Sequence, residues 1–448
     1  MKVLKFGGTS VGSAERIRHV ASLVAPRGKN IIVLSAMSGT TNTLVEIADY
    51  LYKRNLNGAK ETINLLESKY LKTLATLYDS YESREKALRE IKSCFNYIRS
   101  FASRDTFTSV EEKIILAQGE IMSVAMMTIL LNERGIHAEA LPALEFMKTD
   151  ENGEPDANYI ALNIGALLDK YADADIYVTQ GFICRNARGE VDNLQRGGSD
   201  YTASLIGAAV EAEEIEIWTD IDGMHNNDPR YVEGTRPVHE LHYEEAAELA
   251  YFGAKILHPT CVLPAKVNNI PVRLLNTMEP DAPGTVIYNC ITTPCIKAVA
   301  AKDNVTALKI KSSRMLLAYG FLNRVFATFE KYKTPVDMIA TSEVGVSLTV
   351  DAARFLPEII DELKQFGTVT IDHDMVIICV VGNLEWTNTG LESLALQALG
   401  DIPVRMISYG GSDRNISFLI RACDKVKALN RLSQTLFADT DDVTVVTK

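Results

Sequence analysis

Val3-Leu4-Lys5-Phe6-Gly7-Gly8-Thr9-Ser10 is a short apolar run ended by a glycine pair, with a lysine two residues before the break. A run of that length bounded by Gly-Gly reads as a buried strand, and residues 13–24 behind it carry a helical pattern. Residues 31–34 form a second apolar run, followed by the small polar loop 35–41. A helical region rich in Leu, Lys and Glu comes next, broken at 55–58 and resuming through 100; another helix is expected over 111–134. Residues 176–179 and 215–219 are further strand candidates. Strands alternating with helices predict an α/β fold, with a mainly parallel sheet covered by helices on both faces and ligands at the carboxyl ends of the strands.

Bulk properties narrow the function classes. At 448 residues the chain is long enough for two or three domains. A formal net charge of -12 argues against nucleic acid or an anionic membrane as a main partner. Seven cysteines form no CxxC pair, so free thiols in a reducing cytoplasm are expected rather than a disulfide framework or a zinc site. The first apolar run stops at Phe6, too short for a signal peptide, and no membrane-spanning run of about 18 uncharged apolar residues is expected.

Paired glycines let backbone N–H groups approach a phosphate, and the helix N-terminus after them favours negative charge. Lys5 adds a mobile cation at the same strand end. The pattern Gly-x4-Gly-Lys-[Ser/Thr] is absent, as are protein-kinase catalytic-loop motifs, which excludes both of those phosphotransferase classes. Arg196-Gly197-Gly198-Ser199-Asp200 is a second Gly-Gly turn, ahead of a small-residue helix expected over 201–212. Arg196 can fork onto a carboxylate, whereas Asp200 reads either as a helix N-cap or as a working carboxylate. Thr219-Asp220-Ile221-Asp222-Gly223 follows another strand, and its hydroxyl and carboxylates suit a ribose and a base edge. Phe252-Gly253-Ala254-Lys255-Ile256-Leu257-His258-Pro259 brings one more lysine to a turn, where a solvated side chain is the ordinary reading.

Residues 276–300 are rich in Pro, Thr and Gly and read as the close of the first domain and a linker. Beyond them lies an internal repeat. Val336-Asp337-Met338-Ile339-Ala340 echoes Val404-Arg405-Met406-Ile407-Ser408. Each copy is followed by a second apolar run, 346–350 or 416–420, and each is flanked by expected helices, 321–332 and 355–366 or 391–399 and 425–437. Two strand–helix–strand–strand–helix copies predict paired small α/β sandwiches, which either bind a ligand or only dimerise the chain.

Six motifs occur in order: Lys-Phe-Gly-Gly-Thr-Ser-Val, Leu-Ser-Ala-x-Ser-Gly-x-Thr-Asn at 34–42, Gln-Gly-Glu at 118–120, Arg-Gly-Gly-Ser-Asp-Tyr, Thr-Asp-x-Asp-Gly…Asp-Pro-Arg, and Phe-Gly-Ala-Lys-x-Leu-His-Pro. Together they resemble the aspartate kinases of the amino-acid kinase family, nearly end to end. The resemblance implies an amino-acid-kinase-like domain over 1–292 and a regulatory region over 300–448. That region would hold two ferredoxin-like ACT units, about 305–380 and 381–448, consecutive or interleaved. The implied reaction transfers the γ-phosphoryl group of ATP to the side-chain carboxylate of L-aspartate, the first step toward lysine, threonine and methionine. Mg2+ would accompany ATP without an all-protein metal site.

By the same resemblance Lys5 and Asp200 are catalytic. ATP would be held by Lys5, Gly7, Gly8, Thr219, Asp220, His225, Arg230, Lys255 and Ile256. Aspartate would be held by Ser35, Thr41, Glu120, Arg196, Gly197, Gly198 and Ser199, with Glu120 on the α-ammonium. An amino-acid effector, lysine or threonine, would meet Met315, Gly320, Phe321, Leu322, Asp337, Thr341 and Ser342. Three departures stand out. His225 with Asn226-Asn227 replaces the Tyr-Thr-Thr of other members, leaving an adenine contact or a solvated histidine, and Ala318 and Pro335 replace small polar residues of lysine-inhibited ones. The chain ends soon after the second unit, so a monofunctional cytoplasmic enzyme, dimeric through its ACT units, is expected. A sister kinase for glutamate or acetylglutamate would lack the ACT pair, and a non-catalytic sensor would have lost Lys5, Arg196 or Asp200.

Overall fold

The computed structural model describes residues 1–194, 197–253, 257–290, 293–312, 319–351 and 354–437. The chain divides into two compact units: Met1–Met224 with His239–Tyr243 and Ile256–Asn289, and His225–Val238 with Glu244–Lys255 and Cys290–Lys448.

The first unit opens with β1 (Val3–Phe6), α1 (Ala14–Val24) and β2 (Asn30–Leu34). The Ser13 side chain accepts from the Arg16 N–H and starts α1 as an N-cap. The long helical region expected next is three helices, α2 (Thr40–Tyr52), α3 (Leu56–Leu77) and α4 (Tyr81–Ser100). Asn55 caps α3 by accepting from Gly58, which places Gly58 inside the helix; the second break, at Tyr78 to Ser80, comes from a serine cap that accepts from Ser83. A Thr108–Glu111 capping box starts α5 (Ser109–Glu133). Contrary to the sequence expectation, α5 is long and apolar enough to cross a membrane by length and composition. It is a core helix, with Ile115, Met122, Met126 and Leu130 buried. Then come β3 (Ala138–Leu141), α6 (Ala143–Phe146), α7 (Ala157–Lys170), β4 (Ile176–Gln180), the hairpin β5 (Ile183–Arg185) and β6 (Val191–Asn193), α8 (Gly198–Ala209) and β7 (Ile215–Thr219). The unit closes with β8 (Glu240–His242), α9 (Tyr243–Tyr251, which runs on into the second unit), α10 (Pro259–Val267), β9 (Val272–Asn276) and β10 (Thr285–Tyr288).

Eight strands form one sheet in the order β3-β4-β2-β1-β7-β9-β10-β8, parallel except for the β9–β10 pair. Phe6 lies level with Leu34 and Trp218, and Leu34 with Gln180, so the ends of β1, β2, β4 and β7 meet along one edge. The stretch expected to be a linker contains β10, missed because four residues between Pro-Gly and Asn carry too little pattern.

The second unit is built on two long antiparallel strands, β11 (Cys295–Lys311) and β14 (Thr368–Asn383). Between and after them come α11 (Phe321–Lys331), β12 (Ile339–Ser342), β13 (Gly345–Val350), α12 (Leu356–Leu363), α13 (Leu391–Leu399), β15 (Met406–Tyr409), β16 (Asn415–Arg421) and α14 (Lys425–Phe437). The sheet order is β12-β13-β11-β14-β16-β15. The β11–β14 register breaks between Lys302 and Ala307, which divides both strands into halves. One half joins β12 and β13 over a core of Leu308, Phe321, Val346 and Ile359; the other joins β15 and β16 over Val299, Ile378, Phe418 and Leu432. The two repeat copies are therefore interleaved, the second borrowing its outer strand from the start of β11. Segments 225–238 and 244–255 belong to this unit: Val232 enters the Phe418 core, and Glu245 pairs with Lys297 at 2.7 Å.

Candidate active site

The parallel strands deliver their ends to a cleft of about 310 Å³ lined by Gly8, Ser35 to Gly39, Thr41, Asn42, Glu120, Phe182, Gly198 and Ser199. Lys5 in β1 and Asp200 in the first turn of α8, close in sequence to the lining residues Gly8 and Ser199, face each other. Lys5 Nζ lies 2.5 Å from Asp200 Oδ1, a charge contact without hydrogen-bond geometry, and both side chains are largely buried. Asp200 is not an N-cap, since Gly197 holds that position in a left-handed conformation. The Gly7 N–H donates to the Trp218 carbonyl at 3.2 Å, tying the glycine turn to β7.

Ala36 explains two of the motifs. A Cβ on Gly8 would stand 2.8 Å from the Ala36 carbonyl oxygen, and one on Gly119 would stand 2.8 Å from Ala36 Cβ. Only glycine on both sides lets the loop after β2 pack between β1's turn and α5. That approach carries Glu120 to the floor of the cleft, where Oε1 accepts from the Ala36 N–H at 3.2 Å and Oε2 has no partner among the described residues. Glu120 is 3% exposed, and burial pushes its carboxyl up to about 8 against the pull of the Ala36 N–H. An orphaned buried carboxyl oxygen calls for a cationic donor. Ser35 donates its hydroxyl proton to Ser199 Oγ at 2.9 Å across the cleft, and the α8 N-terminus ends beside them, a place that favours anions.

Thr219 and Asp220 stand at the end of β7, next to β1, with the Thr219 hydroxyl on Asp220 at 3.1 Å. The structure thus brings Lys5, Gly7, Gly8, Ser35, Thr41, Glu120, Gly197, Gly198, Ser199, Asp200, Thr219 and Asp220 to one edge of one unit. His225 and Arg230 belong to the second unit. There His225 Nδ1 meets Thr235 Oγ1 at 3.0 Å, and Arg230 grips Asp228 in a two-point ion pair. Arg196, Lys255, Ile256, Met315 and Ala318 lie outside the described residues. Phe182 was missed in the sequence; it lines the cleft at φ +71°, an uncommon backbone for a bulky residue, and the Gly181-Phe182 step after a strand was its only signal.

Gly320 caps α11, Phe321 is buried behind it, Leu322 is exposed, and Thr341 and Ser342 end the edge strand β12. The Asp337 side chain is fully buried. Its Oδ1 receives Lys302 Nζ at 2.6 Å and the Tyr251 hydroxyl at 2.5 Å, while Oδ2 has no partner among the described residues. Burial lowers the Lys302 ammonium, but its bonds to Asp337 and Asp351 outweigh that and raise it; burial, then Asp337, push Tyr251 up to about 12.

Comparison with known proteins places this geometry. The amino acid kinase family matches residues 1–276 and the ACT domain matches residues 378–436. Aspartokinase 3, chloroplastic, of Arabidopsis thaliana is 35% identical over all of this chain and 83% of its own length. The lysine-sensitive aspartokinase 3 of Escherichia coli is 32% identical over 97% of this chain and 99% of its own. The crystal structure of E. coli aspartokinase III with aspartate and ADP (R-state) superposes with a TM-score of 0.84 at 31% identity, covering 98% of this chain and 100% of that one. The lysine and aspartate complex (T-state) gives 0.79 at 32% identity.

Proposed function

Because the chain belongs to the aspartokinases of the amino acid kinase family, we propose how its residues carry that family's reaction. The enzyme transfers the γ-phosphoryl group of ATP to the side-chain carboxylate of L-aspartate, giving 4-phospho-L-aspartate. The observation that supports this most is the orphaned Glu120 carboxyl oxygen in a cleft whose lining residues Gly8 and Ser199 are chain neighbours of the glycine turn after Lys5 and of its partner Asp200. Lys5 would neutralise charge on the transferring phosphoryl oxygens, with Gly7 and Gly8 offering backbone N–H groups beside it. Asp200 would hold the lysine in place. No general base is needed, since the acceptor carboxylate is already ionised near neutral pH.

Aspartate would set its α-ammonium on Glu120 Oε2 and its carboxylates among Ser35, Thr41, Ser199 and the α8 N-terminus, with Arg196 forking onto one of them. ATP would extend from Lys5 toward Thr219 and Asp220; the family resemblance names His225, Arg230, Lys255 and Ile256 as further nucleotide contacts. Mg2+ would arrive with ATP. It would keep waters and phosphate oxygens as ligands. Acyl phosphates hydrolyse, so the reacting cleft must exclude water.

The second unit would regulate. An amino-acid effector, lysine or threonine, would meet Gly320 to Leu322, Thr341 and Ser342, and bring its ammonium to the orphaned Asp337 Oδ2. Lys302 already holds Oδ1, so effector binding would have to tolerate or displace a resident ammonium. A second copy of the chain would assemble through this unit, whose edge strands β12 and β15 expose Ile339, Ile407 and Tyr409. Free thiols suit a cytoplasmic setting. The test is ATP-dependent acyl phosphate formation trapped as the hydroxamate. Product from aspartate and none from glutamate or acetylglutamate supports the assignment, and the reverse preference overturns it.

A further inference from the structure

The loop after β2 and the first turn of α2 supply seven of the twelve residues that line the cleft, yet where they join they lean on an element with no place in the reaction. Two consecutive residues of α3 reach it. Lys69 Nζ donates to the Ser38 carbonyl at 2.5 Å. Tyr70 shares a hydrogen bond with Thr40, Oη to Oγ1, at 3.1 Å, and both residues are wholly buried. Between Ser38 and Thr40 lies Gly39, at φ +79°, the left-handed N-cap that turns the loop into α2. The turn is thus pinned on both sides from outside the cleft. The Tyr70 ring is itself fixed edge-to-face on Phe95 of α4, with centroids 5.7 Å apart.

Side chains that touch no substrate but fix a wall of the site act on binding through geometry, because misplacing a wall weakens each contact it makes. We propose that Lys69 and Tyr70 are positioning residues for aspartate binding: through Ser38 and Thr40 they hold the Gly39 turn, and with it the cleft wall from Ser35 to Asn42. The inference rests on the reading of this cleft as the aspartate site. Glu120 reinforces it, since the same loop offers the Ala36 N–H that orients its carboxyl.

The experiment compares wild type, Tyr70→Phe, Thr40→Val, the double variant and Leu74→Ala, in the hydroxamate assay and by thermal unfolding. Leu74 is a buried α3 residue one turn further on, so its truncation tests loss of α3 packing alone. One net hydrogen bond corresponds to roughly a three- to tenfold change. Tyr70→Phe and Thr40→Val are each expected to raise KM for aspartate about that much with kcat nearly unchanged, and the double variant to be no worse than either single one. Leu74→Ala is expected to lower Tm and leave KM in place. Lys69→Met is expected to add its own rise in KM. The inference is overturned if KM stays at the wild-type value in Tyr70→Phe, if the double variant multiplies the single effects, or if Leu74→Ala raises KM equally. A wild type that makes no aspartyl hydroxamate refutes the reading of the cleft instead.

Discussion

Glu120→Gln tests the aspartate site most sharply, because the structure fixes the sign of three effects. The native carboxyl titrates near 8 while an unperturbed glutamate titrates at 4.5. The folded protein therefore holds the proton longer than the unfolded chain, so Glu120 costs stability progressively as pH rises from 4.5 through 8. At 1.36 kcal/mol per unit, a shift of this size has a ceiling of about 5 kcal/mol. The amide keeps the Ala36 bond without the charge, so Glu120→Gln should unfold at least as hot as wild type at about pH 8. Binding runs the other way. A substrate ammonium needs the ionised carboxylate, and at about pH 7 ionising Glu120 costs about 1.4 kcal/mol, or tenfold in affinity. KM for aspartate should fall by about fivefold between about pH 7 and 8, with close to one proton released per aspartate bound near pH 7. That release is read by calorimetry in buffers of different ionisation enthalpy. In Glu120→Gln the release should vanish and KM at about pH 8 should rise roughly 10- to 100-fold, the range for a charged hydrogen bond. A variant with wild-type KM, or one that keeps the proton release, would refute the placement of the ammonium on Glu120.

Three further outcomes follow from other contacts. Gly8→Ala forces a Cβ to 2.8 Å from a backbone oxygen that cannot swing away, so kcat/KM should drop at least tenfold, while Gly189→Ala, in open space, loses only turn stability; equal activity losses would contradict the packing argument. Asp337→Asn leaves Lys302 with Asp351 at 3.0 Å as its remaining carboxylate, so the cost should be a part of the about 3–5 kcal/mol that breaking a fully buried pair carries. Its Tm should fall by several degrees and any response to lysine or threonine should disappear, so an unchanged Tm would show that the pair carries no stability. Asp200→Asn frees Lys5 from its partner, and kcat should fall by about 10²-fold or more with KM for ATP little changed; a pure KM effect would move Asp200 from organising the lysine to binding the nucleotide.

Much of the architecture was legible because it depends on local pattern. The apolar runs at 31–34, 176–179 and 215–219 are strands in the sheet, and α13 and α14 begin and end where the repeat predicts. What escaped the sequence is long-range pairing. Nothing local in β11 or β14 says that each spans both repeat copies; the register break that divides them is visible only across the pair. The break at Tyr78 to Ser80 was hidden because a serine cap between two amphipathic helices interrupts the period by only three residues. The core helix α5 passed as ordinary because its apolar residues are interspersed with Gln118, Glu120 and Ser123. The Gly-Gly turns were read as places for a phosphate; that Gly8, and Gly119 outside any glycine pair, both pack against Ala36 was not visible in the residues alone. The orphaned Oε2 of Glu120 and the occupied Oδ1 of Asp337 are facts of burial and geometry that residue identity alone does not carry.

The central claim is that an aspartyl phosphate forms beside Lys5, and its most direct test is kcat for hydroxamate formation in Lys5→Ala against wild type, with ATP binding and folding measured on the same samples. The account predicts a loss of about 10³-fold or more, with the variant folded and aspartate binding retained. Product at near the wild-type rate from Lys5→Ala would contradict it.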